Sequence, residues 1–149
     1  MSTTSFDRSL PIAVGADHAG FEYKEQIIKM LTGAGWQVSD KGTHSLDSTD
    51  YPDYAHPVAA MVESGAATAG ILVCGSGNGV CMTANKHKGI RAALCWNEEL
   101  VSLARQHNNA NVICIPSRFV SLGIAEKMAA VFLDTAFEGG RHERRVEKI

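Results

Sequence analysis

The sequence predicts an α/β fold in which a parallel sheet of five strands lies between two layers of helices. Short apolar runs of strand length alternate five times with longer amphipathic stretches, a pattern typical of successive β–α units. The run Ile71-Leu72-Val73 contains no polar residue, as expected of a strand that helices cover on both faces. The chain shows no internal repeat, linker or low-complexity segment, so we expect one domain over residues 10–149.

Glycines, prolines and capping residues set the predicted element boundaries. Gly33 and Gly35 end the first helix, and Pro57 is compatible with the second helix only in its first turn. Asn97, followed by acidic residues, suits the N-cap of the fourth helix. The predicted strands cover residues 10–16, 36–40, 69–74, 91–95 and 111–115, and the predicted helices cover residues 17–32, 54–64, 80–86, 98–107 and 121–136, with a short sixth helix in the tail.

The composition excludes several classes of protein. With 16 acidic and 14 basic residues, the chain lacks the basic excess of a general nucleic-acid or membrane-surface binder. No apolar run approaches the roughly 18 residues that span a bilayer, and the polar residues 1–9 contain no signal-peptide core and are expected to be flexible. The four cysteines form no Cys-x-x-Cys pair, which favours free thiols and a cytoplasmic location.

A glycine-rich turn, Gly75-Ser76-Gly77-Asn78-Gly79, follows the third predicted strand. Such a turn can direct several backbone N–H groups towards a phosphate, a carboxylate or an enolate oxygen. It is not a dinucleotide fingerprint, because Val80 occupies the position of the last glycine, and no Gly-Lys-Ser/Thr of a P-loop follows. A tight turn that binds no ligand is the simpler alternative.

Cys74 ends the third strand at this turn. Backbone donors and the start of a helix could stabilise its thiolate, which would then serve as a base or a nucleophile. The alternative is an inert core thiol, which we expect for Cys95 and Cys114. Cys81, inside the following helix, is expected to serve in packing.

Two histidines are candidates for acid–base or phosphate-binding roles. His18 follows Asp17 after the first strand, and His107 precedes Asn108 at the end of the fourth helix. We expect both at or near the carboxyl end of the sheet, where ligands bind in such folds, with a solvated surface position as the alternative. The chain has no His-x₃-His pair and no cluster of Cys and His in sequence, so we expect no metal site.

A basic cluster near the C-terminus contains Arg141, Arg144 and Arg145. Such a cluster is usually a solvated surface, but an arginine fork also matches the oxygen atoms of a phosphate. The preceding helix can end far from the glycine-rich turn of its own chain. The tail could therefore contribute to a site in a neighbouring subunit.

From about Leu10 to its end, the chain carries a set of motifs that are individually weak and jointly specific. They are Gly15-Ala16-Asp17-His18-Ala19-Gly20, Asp40-Lys41-Gly42-Thr43, Asp50-Tyr51-Pro52, Cys74 with the glycine-rich turn, Ala84-Asn85-Lys86, Arg105-Gln106-His107-Asn108 and Gly139-Gly140-Arg141-His142 with Arg145. In these motifs the chain resembles the ribose-5-phosphate isomerase B family, within the group that also contains the galactose-6-phosphate isomerase subunits.

This resemblance implies a flavodoxin-like α/β/α sandwich that forms homodimers, sometimes tetramers, with the active site between subunits. It implies the reversible conversion of D-ribose 5-phosphate to D-ribulose 5-phosphate, an aldose–ketose isomerisation of the pentose phosphate pathway that uses no cofactor. The family has two forms of the catalytic base: a Cys at the position of Cys74, or a Glu at the position of Val80 with Gly replacing the Cys. This chain matches the Cys form.

The resemblance and the residues together suggest a mechanism through a cis-enediolate. His107, helped by Asp17, opens the furanose ring, and the thiolate of Cys74 then moves a proton from C2 to C1. We expect Gly75, Gly77, Asn78 and Gly79 to form an anion hole, with Ser76 at the reacting oxygens. We expect His18, Arg141 and Arg145 to bind the phosphate, with both arginines supplied by the partner subunit. Further contacts with the substrate are expected from Tyr51, Asn108 and Arg118.

Two alternatives remain open. An isomerase of the same group could act on allose or galactose 6-phosphate or on erythrulose 4-phosphate, because the loops that set the pocket depth cannot be located from the sequence. A binding module of the same fold could recognise a sugar phosphate without turnover. Such a module would be expected to lack the proton-transfer groups, whereas Cys74, Ser76 and His107 are all present.

Overall fold

Five strands form one parallel sheet in the computed structural model, which describes residues 5–149. In chain order they are β1 (Ile12–Ala16), β2 (Val38–Asp40), β3 (Ala69–Cys74), β4 (Ala92–Leu94) and β5 (Val112–Pro116). Their order across the sheet is β2-β1-β3-β5-β4, and every neighbouring pair is parallel. The predicted five-stranded parallel sheet is confirmed.

Helices cover both faces of this sheet. Ile12 and Val14 of β1 pack into one apolar cluster, while Ala13 packs into the other, as the alternation of side chains along a strand requires. The first cluster includes residues of α1, α4 and α5, and the second includes residues of α2 and α3. Within residues 5–149, the helices are α1 (Phe21–Gly33), α2 (Pro52–Glu63), α3 (Asn78–Ala84), α4 (Glu98–Asn108), α5 (Leu122–Asp134) and α6 (Arg141–Val146).

The predicted three-layer sandwich is therefore confirmed, although several boundaries differ. α2 begins at Pro52, because proline is favourable in the first turn of a helix. Pro57 consequently lies beyond the first turn, and the expectation that it would occupy that turn is wrong. β2 and β4 have only three residues each, since each is an edge strand with one neighbour. None of the helices described for residues 5–149 has the length and apolar character needed to cross a membrane.

Residues 5–9, which belong to the segment expected to be flexible, contact the fold. The ring of Phe6 lies 5.1 Å from that of Phe132, and the guanidinium of Arg105 lies 4.2 Å from the Phe6 ring. The backbone N–H of Asp7 donates to the hydroxyl of Thr68 at 2.8 Å. Phe6 has ring partners that a polar local sequence does not reveal. Residues 1–4 of the expected segment lie outside the described residues.

The parallel arrangement determines where functional groups lie. All strands end on the same side of the sheet, here called the carboxyl end, and each connecting helix returns the chain to the opposite side, the amino end. The glycine-rich turn after β3 lies at the carboxyl end, whereas the residues that finish a helix and precede a strand lie at the amino end. Ligands in folds of this kind bind at the carboxyl end.

Candidate active site

A cavity of about 460 Å³ opens at the carboxyl end of the sheet. We call it the thiol cavity, because Cys74 lies in its wall. Four chain segments contribute to it: the residues after β1, the loop before α2, the turn after β3 and the residues after β5. Topology thus brings together predicted site residues that are far apart in sequence, namely Asp17, His18, Tyr51, Cys74, Gly75, Ser76, Gly79 and Arg118.

Cys74 ends β3, and only 5% of its surface is exposed. Its Sγ accepts a hydrogen bond of 3.1 Å from the backbone N–H of Gly77, which is placed to stabilise negative charge on the sulfur. Gly77 has a φ of +75°, and a Cβ at that position would lie 2.5 Å from Cδ1 of Leu94. Glycine is therefore favoured there both by conformation and by space.

The residues predicted as an anion hole differ in their positions around the thiol cavity. Gly75 and Gly79 are part of its lining, whereas Gly77 and Asn78 are not. The N–H of Gly77 donates to sulfur, as described above, and the N–H of Asn78 donates to Oγ of Ser76 at 3.3 Å. Both N–H groups thus have partners within the turn, and Gly75 and Gly79 are the members of this set that face the cavity.

Two side chains, Tyr51 and Arg118, cover the glycine-rich turn. A Cβ on Gly79 would lie 2.5 Å from the ring of Tyr51, and a Cβ on Gly75 would lie 3.2 Å from the guanidinium of Arg118. The backbone N–H of Arg118 donates to the carbonyl of Gly75 at 3.0 Å, which holds this segment against the turn. The glycines therefore allow an aromatic ring and a permanent cation to approach the backbone around the cavity.

Asp17 and His18 form another part of the cavity wall. Oδ1 of Asp17 accepts hydrogen bonds from the N–H groups of Ala19 at 3.0 Å and Gly20 at 3.1 Å, so this carboxylate also fixes the loop that leads into α1. Nδ1 of His18 accepts a hydrogen bond of 3.2 Å from the N–H of Thr49. When the imidazole is neutral, this contact places its proton on Nε2, which can donate to a ligand oxygen.

His107 lies at the other end of the sheet. It belongs to the last turn of α4, an eleven-residue helix that starts after β4 and runs back about 16 Å towards the amino end. We expected His107 at or near the carboxyl end of the sheet, and within a single chain this expectation is therefore wrong. A helix that connects two parallel strands must reverse the chain direction, so its final turn cannot face the strand ends.

A cluster of polar side chains surrounds His107, and we call it the histidine cluster: His107, Glu138, Arg141, His142 and Arg145. The rings of His107 and His142 stack with centroids 4.1 Å apart and planes at 14°. Oε1 of Glu138 lies 3.9 Å from Nε2 of His107 and 3.6 Å from Nε2 of His142. Asn108 lies beside the cluster and lines a separate cavity of about 540 Å³. The structure thus divides the predicted site residues between two places.

Comparison with known proteins identifies the family of the chain. A sequence model of the ribose/galactose isomerase family matches residues 12–149. The chain belongs to this family. Ribose-5-phosphate isomerase B of Escherichia coli is 46% identical over 138 residues, which is 93% of each chain. A protein of Mycoplasma pneumoniae named probable ribose-5-phosphate isomerase B is 49% identical over 140 residues, which is 93% of this chain and 92% of that one.

Solved structures of this ribose/galactose isomerase family have the same fold. Ribose-5-phosphate isomerase B of Mycoplasma genitalium, solved with ribulose-5-phosphate bound, superposes with a TM-score of 0.92 at 45% identity over 95% of each chain. The enzyme of Clostridium thermocellum superposes with a TM-score of 0.92 at 42% identity, covering 93% of this chain and 94% of that one. These similarities confirm the resemblance and the fold class.

His142 belongs to the motifs of the ribose/galactose isomerase family, but neither it nor Glu138 is among the predicted site residues. The structure gives both residues contacts with His107. Glu138 precedes α6 and is followed by two glycines with positive φ, so its contact with His142 arises from the loop and not from helical spacing. Their common partner on α4 is a tertiary contact that no local pattern indicates.

The histidine cluster also has the composition of a metal site. One ligand atom each from His107, Glu138 and His142 lies within 4.8 Å of the others. A nitrogen lone pair lies in the plane of its ring, and the two rings are stacked in nearly parallel planes. Their lone pairs therefore do not converge on one point, as tetrahedral zinc coordination requires. The arrangement fits ion pairing and ring packing better than metal binding.

Proposed function

We propose that this chain interconverts D-ribose 5-phosphate and D-ribulose 5-phosphate through a cis-enediolate, with Cys74 as the base and no cofactor. The observation that carries this proposal is the position of the Cys74 sulfur. It lies in the wall of the thiol cavity and accepts a hydrogen bond from the backbone N–H of Gly77. The relatives named ribose-5-phosphate isomerase B support the same substrate. The bound ribulose-5-phosphate in the Mycoplasma genitalium structure supports a site for the ketose product.

The first step opens the furanose ring of ribose 5-phosphate. A proton leaves the hydroxyl on C1 while another reaches the ring oxygen, the bond between C1 and the ring oxygen breaks, and an open-chain aldehyde forms. His107, with Asp17 on the opposite side of the substrate, transfers these protons. General acid–base catalysis of this kind contributes about 10²–10⁴-fold to a rate.

The second step moves one hydrogen between neighbouring carbons. The Cys74 thiolate removes the proton from C2, and the electron pair shifts to give an enediolate with its charge on oxygen. The backbone N–H groups of Gly75 and Gly79 stabilise that charge, and Ser76 helps to transfer the proton between the two oxygens. Cys74 then returns its proton to C1, which gives the ketose with no net change in atoms or electrons.

The reacting site contains groups from two subunits. The thiol cavity provides the base, while His107, Asn108, Arg141 and Arg145 lie at the amino end of the same chain, far from its own cavity. We propose that a partner subunit places its histidine cluster over the thiol cavity in a homodimer. Its two arginines then bind the phosphate together with His18, and Tyr51 and Arg118 contact the sugar.

Other sugar phosphates of the group require the same chemistry in a cavity of different depth. The loop before α2 and the segment after β5 line the thiol cavity and therefore limit the length of the substrate. A comparison of kcat/KM for ribose, allose, galactose and erythrulose phosphates separates these substrates. We expect the highest value for ribose 5-phosphate.

The proposed enzyme comprises residues 10–149 as one domain and acts in the cytoplasm. All four cysteines are free in the structure, and three of them are buried. A metabolic isomerase whose base is a thiolate requires a compartment that keeps thiols reduced. The free cysteines and the thiolate base therefore support a cytoplasmic location.

The test of this function is the Cys74→Ala variant assayed with ribose 5-phosphate. We expect turnover to fall by at least about 10³-fold, because the proton-transfer base is lost, while calorimetry still detects substrate binding. Cys95→Ala is the matched control, since Cys95 is equally buried but does not line the thiol cavity. Turnover near the wild-type rate in Cys74→Ala would show that this thiol is not the base.

A further inference from the structure

His142 contacts His107 through its ring face. The stacking distance of 4.1 Å and the angle of 14° leave little room for His107 to tilt towards α6. The side chain of His142 is only 10% exposed, compared with 38% for His107. The structure thus pairs a fixed imidazole with a more accessible one.

Backbone contacts hold the fixed imidazole in place. The N–H of His142 donates to the carbonyl of Gly139 at 3.1 Å, and α6 packs against α4. The N–H of Glu138 donates to the carbonyl of Gln106 at 3.1 Å, directly beside His107 in the chain. The loop before α6 and the last turn of α4 are therefore joined, and His142 cannot move without disturbing this junction.

The charges around His142 favour its neutral form. Burial lowers the pKa of His142, as do the positive charges of His107, Arg141 and Arg145, while the carboxylate of Glu138 acts in the opposite direction. A neutral ring can remain stacked on His107 whether or not His107 carries a proton. It therefore maintains the position of His107 throughout a proton transfer.

We propose that His142 is a positioning residue: its buried ring fixes the orientation of the His107 imidazole that opens the substrate ring. This proposal depends on the role of His107 in the proposed function. His142 itself does not contact the reacting atoms. Its contribution is to keep the nitrogen of His107 directed at the ring oxygen, and a misplacement of about 1 Å in such a group can cost up to about 100-fold in rate.

The chemistry of the two substrates allows a selective test. Ribose 5-phosphate is largely a furanose and must be opened before it reacts. Ribulose 5-phosphate cannot form a furanose, because its C5 oxygen carries the phosphate. Exchange of a C1 hydrogen of ribulose 5-phosphate with D₂O therefore needs Cys74 but no ring opening. The wild-type protein sets the reference rate for this exchange, which takes place at the sulfur of Cys74 in the wall of the thiol cavity.

The experiment compares His142→Ala and His142→Phe with the wild-type protein. In His142→Ala, we expect kcat from ribose 5-phosphate to fall about 10- to 30-fold, a part of the general acid–base contribution. KM for ribose 5-phosphate and the C1 exchange of ribulose 5-phosphate, followed by NMR, should stay within about twofold of wild type, since Arg141, Arg145 and Cys74 are intact. Phenylalanine preserves a flat ring, so His142→Phe should recover most of kcat.

The other outcomes distinguish the positioning role of His142 from the proposed isomerase function. An equal loss of isomerisation and C1 exchange in His142→Ala, or no loss of isomerisation, overturns the positioning role. Failure of His142→Phe to recover kcat, with its melting temperature unchanged, also overturns it. Retention of exchange in Cys74→Ala instead overturns the proposed function. If His142→Ala does not fold, the kcat of His142→Phe still decides.

Discussion

The thiol cavity and the histidine cluster lie at opposite ends of one sheet, and they are held together in different ways. The thiol cavity is formed where β1, β3 and β5 end, and its chemistry rests on backbone contacts such as the N–H of Gly77 on Cys74. The histidine cluster lies at helix termini and rests on side-chain contacts, including a ring stack and shared contacts with Glu138. The first region depends on topology, and the second depends on packing and charge.

The thiol cavity and the histidine cluster also differ in the groups that each could contribute to a complete active site. The thiol cavity contains the proposed base, Cys74, but only one arginine, Arg118, in its lining. The histidine cluster contains two exposed arginines and an accessible imidazole, but no thiol. Each region supplies what the other lacks, so two copies of the chain can form two complete sites across a two-fold axis.

Mixing two inactive variants tests this division most directly. Cys74→Ala and His107→Ala should each lose at least about 100-fold in turnover of ribose 5-phosphate, because each lacks an acid–base group. Refolded together in equal amounts, they should recover about a quarter of wild-type activity, because half of the dimers are mixed and each mixed dimer has one intact site of two. Activity is measured by formation of ribulose 5-phosphate.

The control for this mixture is Cys74→Ala refolded with the Cys74→Ala/His107→Ala double variant. That pair lacks Cys74 in both chains and should remain inactive. Inactivity of the first mixture, with dimers present by light scattering, would place both groups in one chain and contradict the shared site.

The glycine-rich turn tests how far the thiol cavity depends on the backbone. Gly77→Ala forces a side chain into the left-handed region and brings its Cβ to 2.5 Å from Leu94. We expect kcat to fall about 10- to 100-fold, because displacement of the Gly77 N–H disturbs the sulfur of Cys74. Gly65→Ala is the matched control: its φ is +82° and a Cβ there meets nothing within 4 Å. Equal losses of kcat in both variants would refute the local explanation.

Substitution of the arginines on α6 tests the proposed phosphate contact. Arg141→Ala or Arg145→Ala should raise KM for ribose 5-phosphate about tenfold with little change in kcat, because each guanidinium contributes one charge-assisted contact. Arg144→Ala is a suitable control, since it lies on the same short helix and is equally exposed. A similar rise in KM for Arg144→Ala would indicate a general charge effect, which high salt would remove.

A smaller effect concerns another charged contact at the amino end. The carboxylate of Glu63 accepts a hydrogen bond of 2.7 Å from the backbone N–H of Gly89. This hydrogen bond lowers the pKa of Glu63 from its ordinary value of 4.5. The contact therefore contributes stability at pH above 4.5 and loses that contribution as the pH falls through the lower value of the folded state. Glu63→Gln should lower the melting temperature by about 1–2 °C at pH 7, and this difference should shrink as the pH is lowered below 4.5. A difference that persists in acid would assign the effect to packing.

The sequence predicts the thiol cavity well because strand ends define it. Cys74, Asp17 and His18 each follow an apolar run directly, and the parallel topology then brings them to one side. His107 lies at the amino end because a helix that connects two parallel strands reverses the chain direction. That reversal follows from the β–α–β pattern alone, so the sequence contains the information that corrects the predicted position of His107.

Other features depend on contacts between distant segments. The stack of His142 on His107 arises because α6 docks on α4, and no periodicity in the tail indicates that partner. The helix α2 starts at Pro52, two residues before the predicted start, because the polar loop before it gives no apolar pattern. The sequence feature that indicates the true start is the proline itself, which is favourable in the first turn of a helix. Short elements and tail contacts are thus the parts of this fold that need coordinates.

The contact between Phe6 and Arg105 has a consequence for α4, which carries His107. Arg105 is fully buried two positions before His107, and its guanidinium donates to the carbonyls of Thr135 and Ala110. Burial lowers the pKa of Arg105 to about 10, so the side chain remains a cation at neutral pH beneath the ring of Phe6. Proteolytic trimming past Phe6 would expose this cation to water and loosen the end of α4. The opening residues of the chain would thereby influence a reaction centre a hundred positions further along.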